Sequence, residues 1–267
     1  MDTHPLKERD TVSGFSIICS PAKKMRVLEG PPYPETTPRF MERTQELAHT
    51  IQALTLEEAQ ALWKVSDVLA RENYDRFQNM DLTSNTTAAA IAYVGIQYQH
   101  LAAEVASAEE LGYLRRHLRI LSGFYGVVTP TDGVVPYRLE MQARLQVGEC
   151  KNLYDYWSDT IARSIAEESG AIVNVASQEY AKAVVPHAKK LGLTVVTCIF
   201  AQRSNGRLRQ VSTEAKATRG VFSRWCAEKG IEDVSDLKGF SERTYCFDEM
   251  ESTGERLVFV REAPTRR

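Results

Sequence analysis

Ser20-Pro21-Ala22-Lys23-Lys24 stands directly behind the apolar run Phe15-Ser16-Ile17-Ile18-Cys19. A buried strand that ends in a hydroxyl, a proline and two ammonium groups leaves the sheet at a defined angle, because proline fixes φ and removes a donor. The two lysines then stand at a strand's carboxyl edge, where open α/β sheets place their ligand crevices. An anion is the natural partner; a strand end blunted with lysine against edge pairing is the alternative. Pro136-Tyr137-Arg138-Leu139-Glu140-Met141 sets Arg138 and Glu140 two positions apart, on one side of an extended segment. They either pair with each other or hold a ligand. Asn174-Val175-Ala176-Ser177-Gln178-Glu179-Tyr180 leaves another strand and opens a helix with Ser177 as its cap, a second candidate anion site. Lys216 and Arg219 lie three apart, on one face of a helix. In Leu121-Ser122-Gly123-Phe124-Tyr125-Gly126, the residues Ser122, Gly123 and Gly126 suit a turn that offers backbone N–H groups to a phosphate, as helix-hairpin-helix modules do. A tight glycine turn between packed elements is the other use of the same pattern.

The elements that must position these groups read as follows. A strand covers Phe15 to Cys19, and a proline-rich loop runs from Gly30 to Pro38. Helices are expected over 39–53, over 54–79 with Thr55 as N-cap and acids in the first turn, over 83–103, and over 109–120. A helix over 154–168 precedes a strand over 171–175 and a helix over 178–184. Thr194 to Phe200 reads as a strand, Asn205-Gly206 as a hairpin turn into 207–211, and Thr213 as the cap of a helix reaching Lys229. Short strands at 245–248 and 256–260 complete an α/β, mixed α+β fold with one mixed sheet and a large helical insertion. The expected organisation is a leader over 1–14, a single unit over 15–261 and a tail over 262–267.

Composition narrows the function classes. The chain has 267 residues, 43% of them hydrophobic and 25% charged, with a net charge of −2, so no global positive field marks a nucleic-acid binder. The charge is unevenly spread: six basic residues face one acid between Arg203 and Arg224, and nine acids face three bases between Glu228 and Glu255. That asymmetry suggests a basic face and an acidic face. The five cysteines are scattered without a C-x-x-C pair, as suits a reducing cytoplasm. No stretch approaches the roughly 20 apolar residues of a membrane span, and the first residues hold no apolar signal core. The five histidines never fall at H-x-x-x-H spacing, and the P-loop, G-x-S-x-G and G-x-G-x-x-G patterns are absent. The expectation is a protein with no cofactor, no metal and no membrane partner.

Taken together, these segments resemble the YaaA peroxide-stress family of bacterial cytoplasmic proteins. The resemblance runs from about Phe15 to Arg261 in matching order. It is carried by Ser20-Pro21-Ala22-Lys23, by Ser66-Asp67-Val68-Leu69-Ala70 with Asn73 and Arg76, by Leu118 through Val127, and by Pro136 through Met141. Leu153-Tyr154 with Trp157 and Asp159, Asn174 through Ser177 with Glu179-Tyr180, Ala215-Lys216 with Arg219-Gly220, and Val258 through Arg261 continue it. The resemblance implies a compact mixed α/β fold with a basic cleft and a helix-hairpin-helix-like element, binding to duplex or branched DNA, and a role in limiting oxidative damage. Three departures alter charge. Ile96 stands where the family usually has an acid, Thr129 where it usually has a cation, and Lys24 where a small hydroxyl residue is common. They suggest a specialised member with an altered ligand.

Two functions compete. In the first, Lys23, Lys24, Arg138, Lys216 and Arg219 line a cleft for nucleic-acid phosphates, with Tyr98 or Tyr180 stacking on bases. In the second, the chain is an enzyme acting on a nucleobase, a nucleotide or a similar small anion. Lys23, desolvated beside Lys24, then serves as base or imine-forming nucleophile, and Glu140 or Glu179 as general acid and base. An open groove would favour the first; a ligand-sized pocket would favour the second.

Overall fold

The structure, a computed structural model, describes residues 14–28, 34–84 and 86–263. Nearly all of the expected leader, part of the proline-rich loop and residues 264–267 of the expected tail lie outside the described residues. Eight strands form the main sheet: β1 (Phe15–Cys19), β2 (Leu118–Ser122), β3 (Gly126–Val128), β4 (Ala171–Asn174), β5 (Thr194–Ser204), β6 (Arg207–Arg209), β7 (Cys246–Phe247) and β8 (Arg256–Glu262). Their order is β7-β8-β5-β4-β1-β2-β3, with β6 paired to β5. The five central strands run parallel, while β3, β6 and β7 add antiparallel edges. The architecture is the mixed α/β fold that the sequence pattern predicts. Every residue of β1 is buried, which is why it reads as a continuous apolar run.

Several helices are shorter than their patterns. The stretch expected as one helix over 54–79 is two, Leu56–Trp63 and Asp67–Gln78. Thr55 caps the first through a reciprocal capping box with Glu58. Lys64 then turns left-handed at φ 52°. The Gln60 amide bridges the break, donating to the Val65 carbonyl at 3.2 Å and to Asp67 Oδ1 at 2.6 Å. The alanine-rich segment over 83–103 departs most. It forms a two-residue strand (Thr87–Ala88), one helical turn (Ala89–Ala92), a second short strand (Tyr93–Val94) and a helix (Ile96–Leu101). Ala88 through Ala92 are all buried, and the two strands pair with Gly133–Val134 and Lys24–Met25. Tertiary packing here overrides alanine's helical preference.

The helix over 108–117 stops at His117, and the chain continues straight into β2 beside β1, with Ile17 paired to Leu118. The helix expected over 154–168 is likewise divided at Ser158, whose φ is 44°. No helix among the described residues is long and apolar enough to cross a membrane.

Candidate functional site

The chain leaves β1 toward β2 on one side and leaves β4 toward β5 on the other. Such opposed departures open a crevice outside the carboxyl ends of adjacent parallel strands, and Ser20 and Ser177 face each other there. The Ser177 N–H donates to Ser20 Oγ at 2.8 Å, and the Ser20 hydroxyl donates to Ser177 Oγ at 3.2 Å. This stitch corrects the expected role of Ser177. The helix that follows it spans only Gln178–Ala181, the serine makes no side-chain cap, and its own N–H is already bonded. The Ser20 carbonyl accepts from Tyr98 OH at 2.9 Å and Gln97 Nε2 at 3.2 Å, which ties the strand exit to the helix Ile96–Leu101.

A cleft of about 540 Å³ opens over this stitch. Its walls bring together Ser20, Lys23, Lys24, Arg138, Glu140, Ser177, Tyr180, Lys216 and Arg219, which arrive from four distant stretches of chain. Lys23 Nζ and Arg138 Nη2 both bond Glu140 Oε1, at 3.1 and 3.2 Å. Glu140 and Arg138 are only 12% and 16% exposed, whereas the Lys23 side chain is 66% exposed. The desolvated amine of the enzyme hypothesis is therefore not what the geometry provides: Lys23 is a solvent-facing ammonium held by a carboxylate.

Arg219 behaves differently. It is half-buried in the cleft wall, its Nε is buried, and among the described residues its guanidinium donates to nothing. Burial pushes its pKa below the ordinary arginine value, eased by the nearby Cys19. Its placement depends on Gly220, whose absent Cβ would stand 2.0 Å from the Gln97 carbonyl oxygen. Only glycine lets the helix Ser212–Lys229 approach the helix Ile96–Leu101 this closely.

Two carboxylates share the cleft. Burial raises the Glu179 pKa above the usual carboxylate value, with Glu140 adding to the rise and Lys23 opposing it. Its Oε1 accepts the Gln142 N–H at 3.2 Å. Tyr180 and Tyr98 are buried, at 7% and 6% exposure, so neither offers a ring face for stacking. Among the described residues no three His, Cys, Asp or Glu side chains converge as metal ligands.

The other candidates lie elsewhere. Ser122, Gly123 and Gly126 do not form a helix-hairpin-helix turn. They close an antiparallel β-hairpin between β2 and β3, in which Ser122 pairs with Gly126. The Ser122 hydroxyl is internal, 2.7 Å from Tyr137 OH. A Cβ on Gly123 would stand 2.5 Å from the Leu139 carbonyl oxygen, so the turn supports the strand-like segment bearing Arg138 and Glu140 from behind. Of the three departures, Lys24 and Ile96 line the cleft but Thr129 does not. The expected basic and acidic faces also fail to separate: Arg203 pairs with Asp248 and Glu251, and Arg243 and Arg261 both bond Glu214. Sequence reasoning missed Gln97 and Tyr137 as wall residues; Gly95 beside Gln97 was the available signal of a close backbone approach.

Comparison with known proteins places this arrangement in a lineage. The family model for "Peroxide stress protein YaaA" matches residues 15–251. The chain belongs to the YaaA peroxide-stress family. A UPF0246 protein of Lactiplantibacillus plantarum is 44% identical over 247 residues, covering 92% of this chain and 99% of the relative. UPF0246 proteins of Desulfitobacterium hafniense and Agathobacter rectalis are each 41% identical, over 92% of this chain and 98% and 99% of their own lengths. The YaaA match spans the strand exits, the Arg138–Glu140 segment and the Arg219 helix alike.

Proposed function

We propose that this YaaA-family protein binds a small anionic ligand of the nucleotide or nucleobase class in the switch-point cleft, in service of the peroxide-stress role its family is named for. The unpartnered Arg219 carries the reading. A half-buried guanidinium without an acceptor is costly, and a ligand phosphate or carboxylate would relieve it through charge-assisted hydrogen bonds. The volume of about 540 Å³ falls within the roughly 300–1,000 Å³ of small-molecule pockets. Glu140 and Glu179 favour a ligand that also has donors, such as an exocyclic amine, over an unbroken row of phosphates. In this reading Lys23 is a cation positioned by Glu140, and Glu179, whose burial favours its protonated form, is the group suited to proton transfer.

A second reading has its own support. Lys24 and Lys216 are exposed at the cleft, where duplex or branched DNA phosphates lying across the mouth would meet them. The two readings part in one experiment. Calorimetric titration with the adenosine, guanosine, cytidine and uridine 5′-monophosphates is expected to show saturable binding by at least one, lost in Arg219→Met. A duplex that displaces the mononucleotide, with affinity falling by decades from low to moderate salt, would establish the nucleic-acid reading instead.

A further inference from the structure

We propose that the ligand site is bipartite, continuing past the Lys23–Glu140–Arg138 group into a second chamber that takes the hydrogen-bonding ring of a nucleotide whose phosphate lies near Arg219. This rests on the small-anion reading above and extends it. A second cavity of about 590 Å³ adjoins the cleft and shares three of its residues, Lys23, Arg138 and Glu140. The ion group is therefore a partition with a chamber on either side.

The two chambers differ in chemistry. The first offers Arg219 and the rim ammonium groups of Lys24 and Lys216, suited to a phosphate. The second is lined by Leu54, Leu62 and Leu145 and by the exposed amides of Gln142 and Gln146, with the exposed Glu58, Lys64 and Arg144 at its rim. Trp63 also lines it. That residue is 2% exposed, and its indole N–H is buried without an acceptor among the described residues. Buried donors in folded proteins are nearly always bonded, and leaving one without an acceptor is costly. Apolar side chains, amides and one indole donor fit a flat heterocycle with ring nitrogen or carbonyl acceptors. Arg138 spans the junction, with one Nη on Glu140 and its Nε buried and unpartnered. The partition and the second chamber thus each contribute one buried donor without an acceptor among the described residues.

The decisive measurement is two-dimensional 1H–15N NMR of the indole N–H groups, with the Trp63 resonance assigned through Trp63→Phe. Each ribonucleoside 5′-monophosphate is titrated in turn, with inorganic phosphate as control. A mononucleotide is expected to shift the Trp63 indole resonance while those of Trp157 and Trp225 hold still, and phosphate alone is expected to leave all three in place. Ala61→Trp, which fills the second chamber from an exposed helical position, is expected to weaken the mononucleotide at least tenfold and to leave phosphate binding unchanged. Mononucleotide binding that leaves Trp63 unmoved and is indifferent to Ala61→Trp would overturn the second chamber but keep the first. Absence of mononucleotide binding by calorimetry and NMR would overturn both readings.

Discussion

One helix, Ser212–Lys229, carries two ionic environments little more than one turn apart. At its start Glu214 is shared by Arg243, at 2.9 Å, and Arg261, at 2.8 Å. Further along, Arg219 faces the cleft with no acceptor among the described residues. Both regions mix arginine with glutamate, and both leave some guanidinium Nε atoms buried and bare. The difference lies in the terminal nitrogens. In the Glu214 cluster each arginine meets a carboxylate, so the charges satisfy one another and serve the fold. In the cleft Arg219 meets none, so its charge awaits something from outside. Total positive charge would not have separated the two; the pairing does.

The comparison breaks most severely if the helix itself is displaced. Gly220→Ala puts a Cβ 2.0 Å from the Gln97 carbonyl oxygen, and backbone cannot yield as a side-chain tip can. Overpacking of this kind is expected to destabilise by about 3 kcal/mol or more, read by chemical denaturation. Because Gln97 in turn bonds the Ser20 carbonyl, anion binding should fall along with stability. A Gly220→Ala protein with wild-type stability would show that the helices separate freely.

Arg219→Met comes next and should divide the two properties that Gly220→Ala moves together. Removing an unpartnered, half-buried charge should leave stability unchanged or raised, while mononucleotide affinity falls at least about 100-fold, the scale of a lost buried ionic contact. A variant that binds normally would remove the basis of the proposed function.

Glu214→Gln is the matching test of the closed cluster. It strands two half-buried guanidinium groups and is expected to cost about 2 kcal/mol of stability at pH 7, less than for a fully buried pair, with ligand affinity untouched. The Arg243 hydrogen bond holds the Glu214 carboxyl below its ordinary pKa. A lowered carboxylate contributes stability above the unfolded-state pKa and loses it as pH falls through the folded value. The gap between Glu214→Gln and wild type should accordingly close on acidification below about pH 4.5. A gap that persisted there would assign the effect to packing.

How far the sequence led follows the same division. Residues whose role is to follow a strand were legible. Phe15 to Cys19 reads as buried because it is buried, and Ser20, Lys23 and Ser177 had to emerge at carboxyl edges once β1 and β4 were recognised. Pairing between distant segments was not legible. Nothing local says that Glu214 would meet Arg243 and Arg261, so a count of charges suggested two faces where the chain builds ion pairs between distant segments. The glycines misled for a related reason. Gly123 suggested phosphate, yet its missing side chain makes room for the Leu139 carbonyl. Breaks at Lys64 and Ser158 carry no glycine to announce them, and the long helix expected over 83–103 is cut to one turn at Ala89–Ala92 and the short helix Ile96–Leu101, with Ala88 through Ala92 all buried.

The smallest effect tests whether the cleft's own carboxylates moderate its hunger for anions. Burial raises the Glu179 pKa, so its ionisation costs stability, a cost absent below the unfolded-state pKa near 4.5 and growing as pH rises toward the folded value. Glu179→Gln keeps an oxygen to accept the Gln142 N–H and removes the charge. At pH 7 the variant should be slightly more stable than wild type and should bind phosphate a few-fold more tightly, because one negative charge has left the wall. As pH falls toward and below 4.5 the two proteins should draw together, since the raised pKa protonates wild-type Glu179 before an ordinary carboxylate. Phosphate itself keeps a single negative charge from pH 4.5 to about 6, so divergence within that window belongs to the protein. Equal affinity of the two proteins throughout would mean that Glu179 faces the cleft without sensing its contents, leaving Arg219 to set the anion affinity alone.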